Sequence, residues 1–133
     1  ELLNPNSNIK PKEVIKIQLT GLQQNDSKFK DSGIEQTWKF AHPENKMNTG
    51  PLNNFKKMLK NEIYSILLNH KDHKIEEIYN NKKIAIYDVI ILGSDNFYYE
   101  FKWQVERYDG KGSLNNCWLT TAVSNPVSLG ASI

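Results

Sequence analysis

The sequence has little of several residue types on which common chemistries depend. It contains one cysteine, Cys117, so no disulfide can form within the chain and nothing indicates an oxidising compartment. No run of 18 apolar residues occurs, which argues against a membrane-spanning helix. Residues 1–10 lack the apolar centre of a signal peptide. We therefore expect a cytoplasmic protein, or one from which a targeting segment has been removed, with no membrane partner.

Neither sign of charge dominates. Lys and Arg together number 17 and Asp and Glu number 15, which gives a formal net charge of +2. Nucleic-acid-binding domains usually carry a clustered basic face. The densest basic pairs, Lys56–Lys57 and Lys82–Lys83, fit a solvated helix face and a turn. No nucleic-acid partner is predicted.

The motifs of metal, nucleophilic and phosphate chemistry are also missing. Only His70 and His73 are close in sequence, and no third ligand follows at a defined spacing. There is no G-x-S-x-G elbow, and the seven glycines are dispersed among turns rather than gathered in a phosphate loop. Cys117 precedes Trp118 in a predicted strand, where a thiol is usually buried and unreactive. We predict no metal and no cofactor.

Apolar residues at helical spacing come first in the chain. Residues 1–10 are predicted to form a flexible lead-in, and residues 11–133 a single domain. The first helix is predicted from Pro11, at its first position, to near Asn25.

Two further helices are predicted from their start and stop signals. Ser32 and Glu35 have the spacing of a capping box that begins the second helix, and Pro43 is expected to stop it. The third is predicted to begin at Gly50–Pro51. Residues 62–70 suit a short helix.

From Ile75 onward the period changes to two, which is typical of strands. Strands are predicted over 84–92, 97–107 and 116–124, with a shorter one over 75–79 and no regular structure after Asn125–Pro126. Helices followed by an antiparallel meander predict an α+β fold with the helices on one face of a curved sheet.

Asp88 is the one charged residue in an apolar strand. A turn centred on Ser94–Asp95 would place Asp88 opposite Phe101, with Tyr99 and Trp103 as diagonal neighbours. A carboxylate on such an aromatic face could act as a general base or anchor a ligand. The alternative is that Asp88 bonds backbone or water near a strand end, or that a one-residue slip turns it to the other face. The sequence favours this alternative.

A pocket between the helices and the sheet would be lined by aromatic and polar candidates. His42 either points into its mouth or is exposed at a helix end, and the second is favoured. The candidate pocket residues are Asp88, Tyr99, Phe101, Trp103, Trp38, Phe55 and His42.

The strand over 84–92 is apolar on both faces. A sheet that helices cover on one face only would normally be polar on the other. The pattern therefore favours a homodimer formed through the outer sheet face, and the alternative is a central strand sealed by the ends of the chain.

One set of residues is similar to a known family as a group. In the helical half the set is Ile17-Gln18-Leu19, Leu22-Gln23, Asn25-Asp26, Asp31, Gly33-Ile34, Phe40-Ala41, Pro43, Asn45, Thr49-Gly50-Pro51-Leu52 and Phe55. In the strand half it is Cys117-Trp118, Thr120 and Val123. From about Pro11 to Pro126 the chain resembles an uncharacterised nuclear transport factor 2-like family, within the cystatin-like superfamily. A cystatin-like fold with extra helices is the competing architecture.

The resemblance implies a cone-shaped α+β fold, with a bent sheet around a long helix, a pocket in the cone and dimers through the sheet. It brings no established catalytic motif. Because an Asp with a His or Tyr often lines the cone in enzymes of the wider superfamily, Asp88, Tyr99 and His42 form a candidate set.

Three functions compete on these grounds. The first is a non-catalytic module that binds a small apolar ligand or a protein in the cone pocket. The second is a structural dimerisation module whose cone is filled with side chains. The third, and least favoured, is a small lyase, isomerase or hydrolase with Asp88 as general base.

Overall fold

In a computed structural model that describes residues 1–132, helices precede strands and the fold is α+β, which confirms the predicted class. The helices are α1 (Pro11–Gln23), α2 (Ser32–Lys39), α3 (Pro43–Thr49) and α4 (Leu52–Leu59), followed by a 3-10 turn over Ser65–Leu67. The strands are β1 (Asp72–Asn80), β2 (Ile84–Leu92), β3 (Phe97–Arg107), β4 (Trp118–Val123) and β5 (Val127–Ala131).

Helix α1 begins at Pro11, as predicted, and ends at Gln23. The carboxylate of Glu13 accepts a hydrogen bond from the Lys10 amide at 3.2 Å, which satisfies a donor just before the first turn. The apolar face of the helix is buried, with the polar Gln18 within it. This helix supplies the longest apolar surface that the helical layer turns toward the sheet.

The capping box predicted at the start of α2 is wrong. The N-cap is Asp31, in the left-handed region with φ of 62°, and its side chain accepts no capping bond. The hydroxyl of Ser32 instead donates to the carbonyl of Asn25 at 3.0 Å. The Asn25 side-chain oxygen accepts from the Ile34 amide, also at 3.0 Å. A tertiary contact therefore replaces the local one.

Pro43 does not only follow α2; it is the first residue of α3, a helix that the sequence did not predict. Pro is well suited to a first helical position because it has no N–H to leave unpaired. His42 is the N-cap, and its Nδ1 accepts from the Glu44 amide at 3.1 Å. Pro43, which the sequence suggested as the stop of α2, therefore starts α3.

The sheet is antiparallel, in the order β1-β2-β3-β4, and β5 pairs with the other half of the same edge of β3. Register shifts interrupt the β1, β4 and β5 pairings, at Glu77/Tyr79, Gln104/Val105 and Tyr98/Tyr99. Such irregularities bend strands and increase their twist, which gives the sheet its curvature. The predicted bounds of β2 and β3 are confirmed, and the expectation that regular structure ends at Pro126 is wrong.

The helices cover one face of the sheet. On this helix-covered face, Ala85, Tyr87, Val89 and Ile91 of β2 are all buried and belong to the core. On the opposite, open face, Ile84, Ile86, Ile90 and Leu92 are only half-buried.

Residues 1–10 contain no helix or strand. The side chain of Gln36 holds the main chain of Leu3 on both sides, accepting from its amide at 2.7 Å and donating to its carbonyl at 2.9 Å. The predicted flexibility of this segment stays a prediction.

Candidate functional site

A cavity of about 240 Å³ lies between the helices and the sheet. Its walls come from α1, α4 and the segment around α3, and its sheet side from β3 and β4. None of the residues among 1–132 that line it carries a formal charge. Apolar walls with a few polar groups are typical of sites for small uncharged ligands.

The polar groups of the cavity form one buried network. Gln18 Oε1 accepts from Trp103 Nε1 at 3.1 Å and from Thr120 Oγ1 at 2.7 Å. Gln18 Nε2 donates to the carbonyl of Thr37 at 3.1 Å. Trp103 Nε1 also lies 3.2 Å from Thr120 Oγ1. Because each of these groups is buried, the network fixes helix α1 against strands β3 and β4.

Tyr64 forms part of the cavity wall between α4 and the sheet. Its hydroxyl donates to the carbonyl of Val123 at 3.0 Å, and its ring stacks on Phe101 with centroids 6.5 Å apart. Burial raises the pKa of Tyr64, so the hydroxyl stays protonated and neutral. The link joins the loop after α4 to the end of β4.

Two of the predicted pocket residues line this cavity. Trp103 lies on its sheet side, and Phe55 on α4 forms a wall. Both are almost completely buried. Phe101 is also fully buried, but it packs in the core beside Tyr64 and outside the cavity lining.

Asp88 does not lie opposite Phe101: the register is shifted by one residue, which is part of the alternative that the sequence favoured. Asp88 pairs across the strands with Lys102, whereas Phe101 faces Val89. Its carboxylate accepts from Lys102 Nζ on the open face of the sheet. The loop between β2 and β3 is one residue longer than the sequence suggested, since Leu92 pairs with Tyr98. A shift of one residue turns a side chain to the other face.

Tyr99 keeps to the helix-covered side of β3 but contacts the turn rather than the cavity. Its hydroxyl donates to Asp95 Oδ2 at 2.6 Å. This bond lowers the pKa of Asp95 and raises the pKa of Tyr99. The candidate set of Asp88, Tyr99 and His42 is therefore dispersed over three places in the fold.

Trp38 and His42 also lie outside the cavity lining. Lys46 Nζ lies 4.3 Å from the centre of the Trp38 ring, and the Trp38 indole N–H is enclosed without a partner in the described chain. His42 is buried beneath Tyr108, with ring centroids 5.3 Å apart. The favoured expectation of an exposed histidine is wrong, because His42 caps α3 from within the fold.

Sequence reasoning missed most of the polar residues of the cavity. A signal existed for Gln18, which lies three residues after Ile15 and four before Leu22, within the apolar stripe of α1. A polar residue within an apolar stripe needs a buried partner. Thr120 had no such signal, because the irregularity in β4 disturbs the alternation around it.

A second titratable pair lies outside the cavity. His70 is buried, its Nδ1 is 2.7 Å from the carbonyl of Leu67, and its Nε2 is 2.8 Å from His73 Nδ1. Because a carbonyl only accepts, His70 Nδ1 carries a proton, and in the neutral pair His73 Nδ1–H donates to His70 Nε2. Burial lowers the pKa of both histidines.

A larger groove of about 440 Å³ runs between residues 2–3 and helices α1 and α2. Charged side chains line it, among them Glu13, Lys16 and Lys28. Leu3, which the Gln36 side chain holds, forms part of its wall. We regard the smaller cavity as the better candidate site, because its described lining residues are uncharged and come from many elements.

Within residues 1–132, no three His, Cys, Asp or Glu side chains are arranged to hold a metal ion. None of the helices in this range is long and apolar enough to cross a bilayer. Comparison of the chain with protein-family models, with curated proteins and with solved structures finds no match.

Proposed function

We propose that the protein is a non-catalytic module that binds a small, uncharged, largely apolar ligand in the cavity between its helices and its sheet. The observation that carries this proposal is the cavity itself, about 240 Å³ in volume and without a charged side chain among the described residues that line it. Small domains usually pack their cores to the density of organic crystals. A cavity of this size departs from that density, and a ligand that fills it would account for it.

The volume suits a ligand somewhat larger than benzene. An engineered cavity of about 150 Å³ in another protein binds benzene. The first test is a titration of the protein with ethylbenzene, followed by NMR chemical shifts. We expect shifts around Trp103 and Phe55. An absence of saturable shifts both with ethylbenzene and with an uncharged aromatic ketone of the same size would refute the proposal.

A cavity-filling variant makes this test specific. Ala41 lines the cavity and is 3% exposed. We expect Ala41→Leu to abolish ethylbenzene binding and to change the free energy of unfolding by no more than about 1 kcal/mol, because Ala41 borders the cavity into which the added carbons would extend.

Ala85→Leu is the matched control. Ala85 is fully buried in the core and does not line the cavity. The same substitution there should cost about 1–3 kcal/mol of stability by overpacking and leave binding intact. If Ala41→Leu destabilises the protein as much as Ala85→Leu does, the cavity is not open to a ligand.

A second candidate role is homodimerisation through the open face of the sheet. Four half-buried aliphatic side chains of β2 lie there, around the Asp88–Lys102 ion pair. Charges of both signs close together make a surface complementary to itself about a two-fold axis. We expect Ile90→Lys to convert a dimer to a monomer in sedimentation equilibrium. Met47→Lys, at an 82% exposed site on α3, is the control. A monomeric wild-type protein would refute this role.

The nuclear transport factor 2-like cone remains our proposal for the fold family. Leading helices, a bent antiparallel sheet and a cavity on the helix-covered face support it. The enzyme alternative has lost its proposed base, since Asp88 lies on the open face. The filled-cone alternative is disfavoured by the cavity. A cytoplasmic location stays a prediction.

A further inference from the structure

We propose that the ligand of the cavity carries an oxygen that accepts a hydrogen bond, on an uncharged and ring-sized apolar body, and that Gln18 Nε2 is the donor. This inference rests on the proposed function and adds the chemical class of the ligand. It excludes pure hydrocarbons as the preferred ligands, and it excludes ions.

The orientation of the Gln18 amide is fixed by its partners. Trp103 Nε1 can only donate, so the Gln18 atom 3.1 Å away is the oxygen. The Thr37 carbonyl can only accept, so the atom 3.1 Å from it is the nitrogen. The two assignments agree, and the reverse orientation would break both bonds.

The amide has one hydrogen-bond donor to spare. Gln18 Oε1 accepts two bonds, from Trp103 and Thr120, which uses both of its lone pairs. Nε2 carries two N–H bonds, and Thr37 accepts one of them. Nothing else in residues 1–132 is bonded to Nε2.

The spare donor lies where an unmet hydrogen bond is costly. Gln18 is 0% exposed, and it lines the cavity. A buried donor without a partner is destabilising, so a ligand oxygen that meets it gains affinity. The uncharged walls would penalise a carboxylate or an ammonium group in the same place.

The proposal is tested with two matched probes. Ethylbenzene and acetophenone have similar size and shape, and acetophenone has a carbonyl oxygen that accepts hydrogen bonds. The dissociation constant of each is measured by NMR titration for the wild-type protein, for Gln18→Met and for the control Gln36→Met. Gln36 is also a buried glutamine that bonds main-chain groups, but it lies outside this cavity.

We expect the affinity for acetophenone relative to ethylbenzene to fall about tenfold in Gln18→Met and to stay unchanged in Gln36→Met. Trp103 Nε1 keeps Thr120 Oγ1 as a partner in Gln18→Met, which favours folding of the variant. If that variant does not fold, the side-chain N–H resonances of Gln18 in the wild type serve instead. One of the two should move when acetophenone binds and not when ethylbenzene binds.

The possible outcomes separate the two proposals. If both probes bind the wild type and their affinity ratio is the same in all three proteins, the role of Gln18 is refuted and the cavity remains a binding site. If neither probe binds the wild type, the proposed function fails, and the inference fails with it.

Discussion

Strand β2 presents aliphatic side chains on two faces that differ in burial. Ala85, Val89 and Ile91 on the helix-covered face are 0% exposed. Ile84, Ile86, Ile90 and Leu92 on the open face are only half-buried. The two sets have the same chemistry, so the difference comes from the helices that cover one of them. An apolar strand face becomes core only where another layer packs on it.

The helical layer depends on a close contact between α1 and α2. Gly21 and Gly33 bring the two backbones together, so that a Cβ added to Gly33 would lie 2.0 Å from the Gly21 carbonyl oxygen. Disturbing this contact should reduce the burial of the side chains on the helix-covered face of the sheet. The open face has no helices packed on it and should not change.

The largest effect is expected from Gly33→Ala. Its added methyl group meets backbone atoms, which cannot turn away, so we expect a loss of more than about 4 kcal/mol in the free energy of unfolding. The measurement is urea denaturation. Gly21→Ala is the control, since its Cβ would meet nothing closer than 3.3 Å and Ala favours a helix. An equal loss of unfolding free energy in the two variants would mean that the close contact at Gly33 is not what makes Gly33→Ala destabilising.

A smaller effect is expected from truncating the two faces of β2. Ile91→Ala removes a fully buried side chain and should cost about 2–5 kcal/mol, because it leaves a cavity. Ile90→Ala, on the open face, should cost less than half as much in dilute protein. Urea unfolding at low concentration compares them. A cost for Ile90→Ala equal to that for Ile91→Ala would mean that the open face is covered within one chain.

The smallest effect is expected from pH. Burial lowers the pKa of His70 and His73, and the nearby charges are Asp72, which raises both, and Lys16, which lowers that of His73. The unfolded chain therefore binds protons more readily. Stability is complete above the ordinary histidine pKa of about 6.5 and is lost as the pH falls toward the lowered folded values.

Part of this pH dependence comes from the contact between the two histidines, which a substitution removes. One proton fits between His70 Nε2 and His73 Nδ1, which are 2.8 Å apart. If both nitrogens carried a proton, the two N–H groups would point at each other. Urea unfolding between about pH 7.5 and about pH 5 should show a weaker slope for His73→Phe than for the wild type. An unchanged slope would mean that the pair does not titrate in this range.

The elements that were predicted correctly are those whose hydrophobic periodicity or turn residues are visible within a few positions of the sequence. The alternation over β3 and the apolar run of β2 gave correct strand bounds, and Pro11 correctly marked the start of α1. Strand β5 was missed because Val127 and Leu129 are exposed, so this short strand depends on backbone pairing with β3 rather than on burial. No periodicity in the sequence records such pairing.

One candidate residue, Asp88, was misplaced because of a single residue of loop length. Asn96 adopts a positive φ of 67° in the turn between β2 and β3, and the loop there is one residue longer than a simple hairpin. This moved Asp88 from the face of Phe101 to the face of Lys102. Turn geometry sets the register, and the register sets the face of every side chain in the strand.

The sequence by itself determined the fold class, the β2–β3 hairpin and the apolar stripe of α1, because periodicity and turn residues act over a few positions. Only the tertiary structure decided the site. Gln18 meets Trp103 across 85 residues and Thr120 across 102. These contacts depend on strand register, on irregularities in the strands and on how the helices pack on the sheet. A cavity is the space that packed elements leave between them, and no local sequence pattern specifies where that space remains.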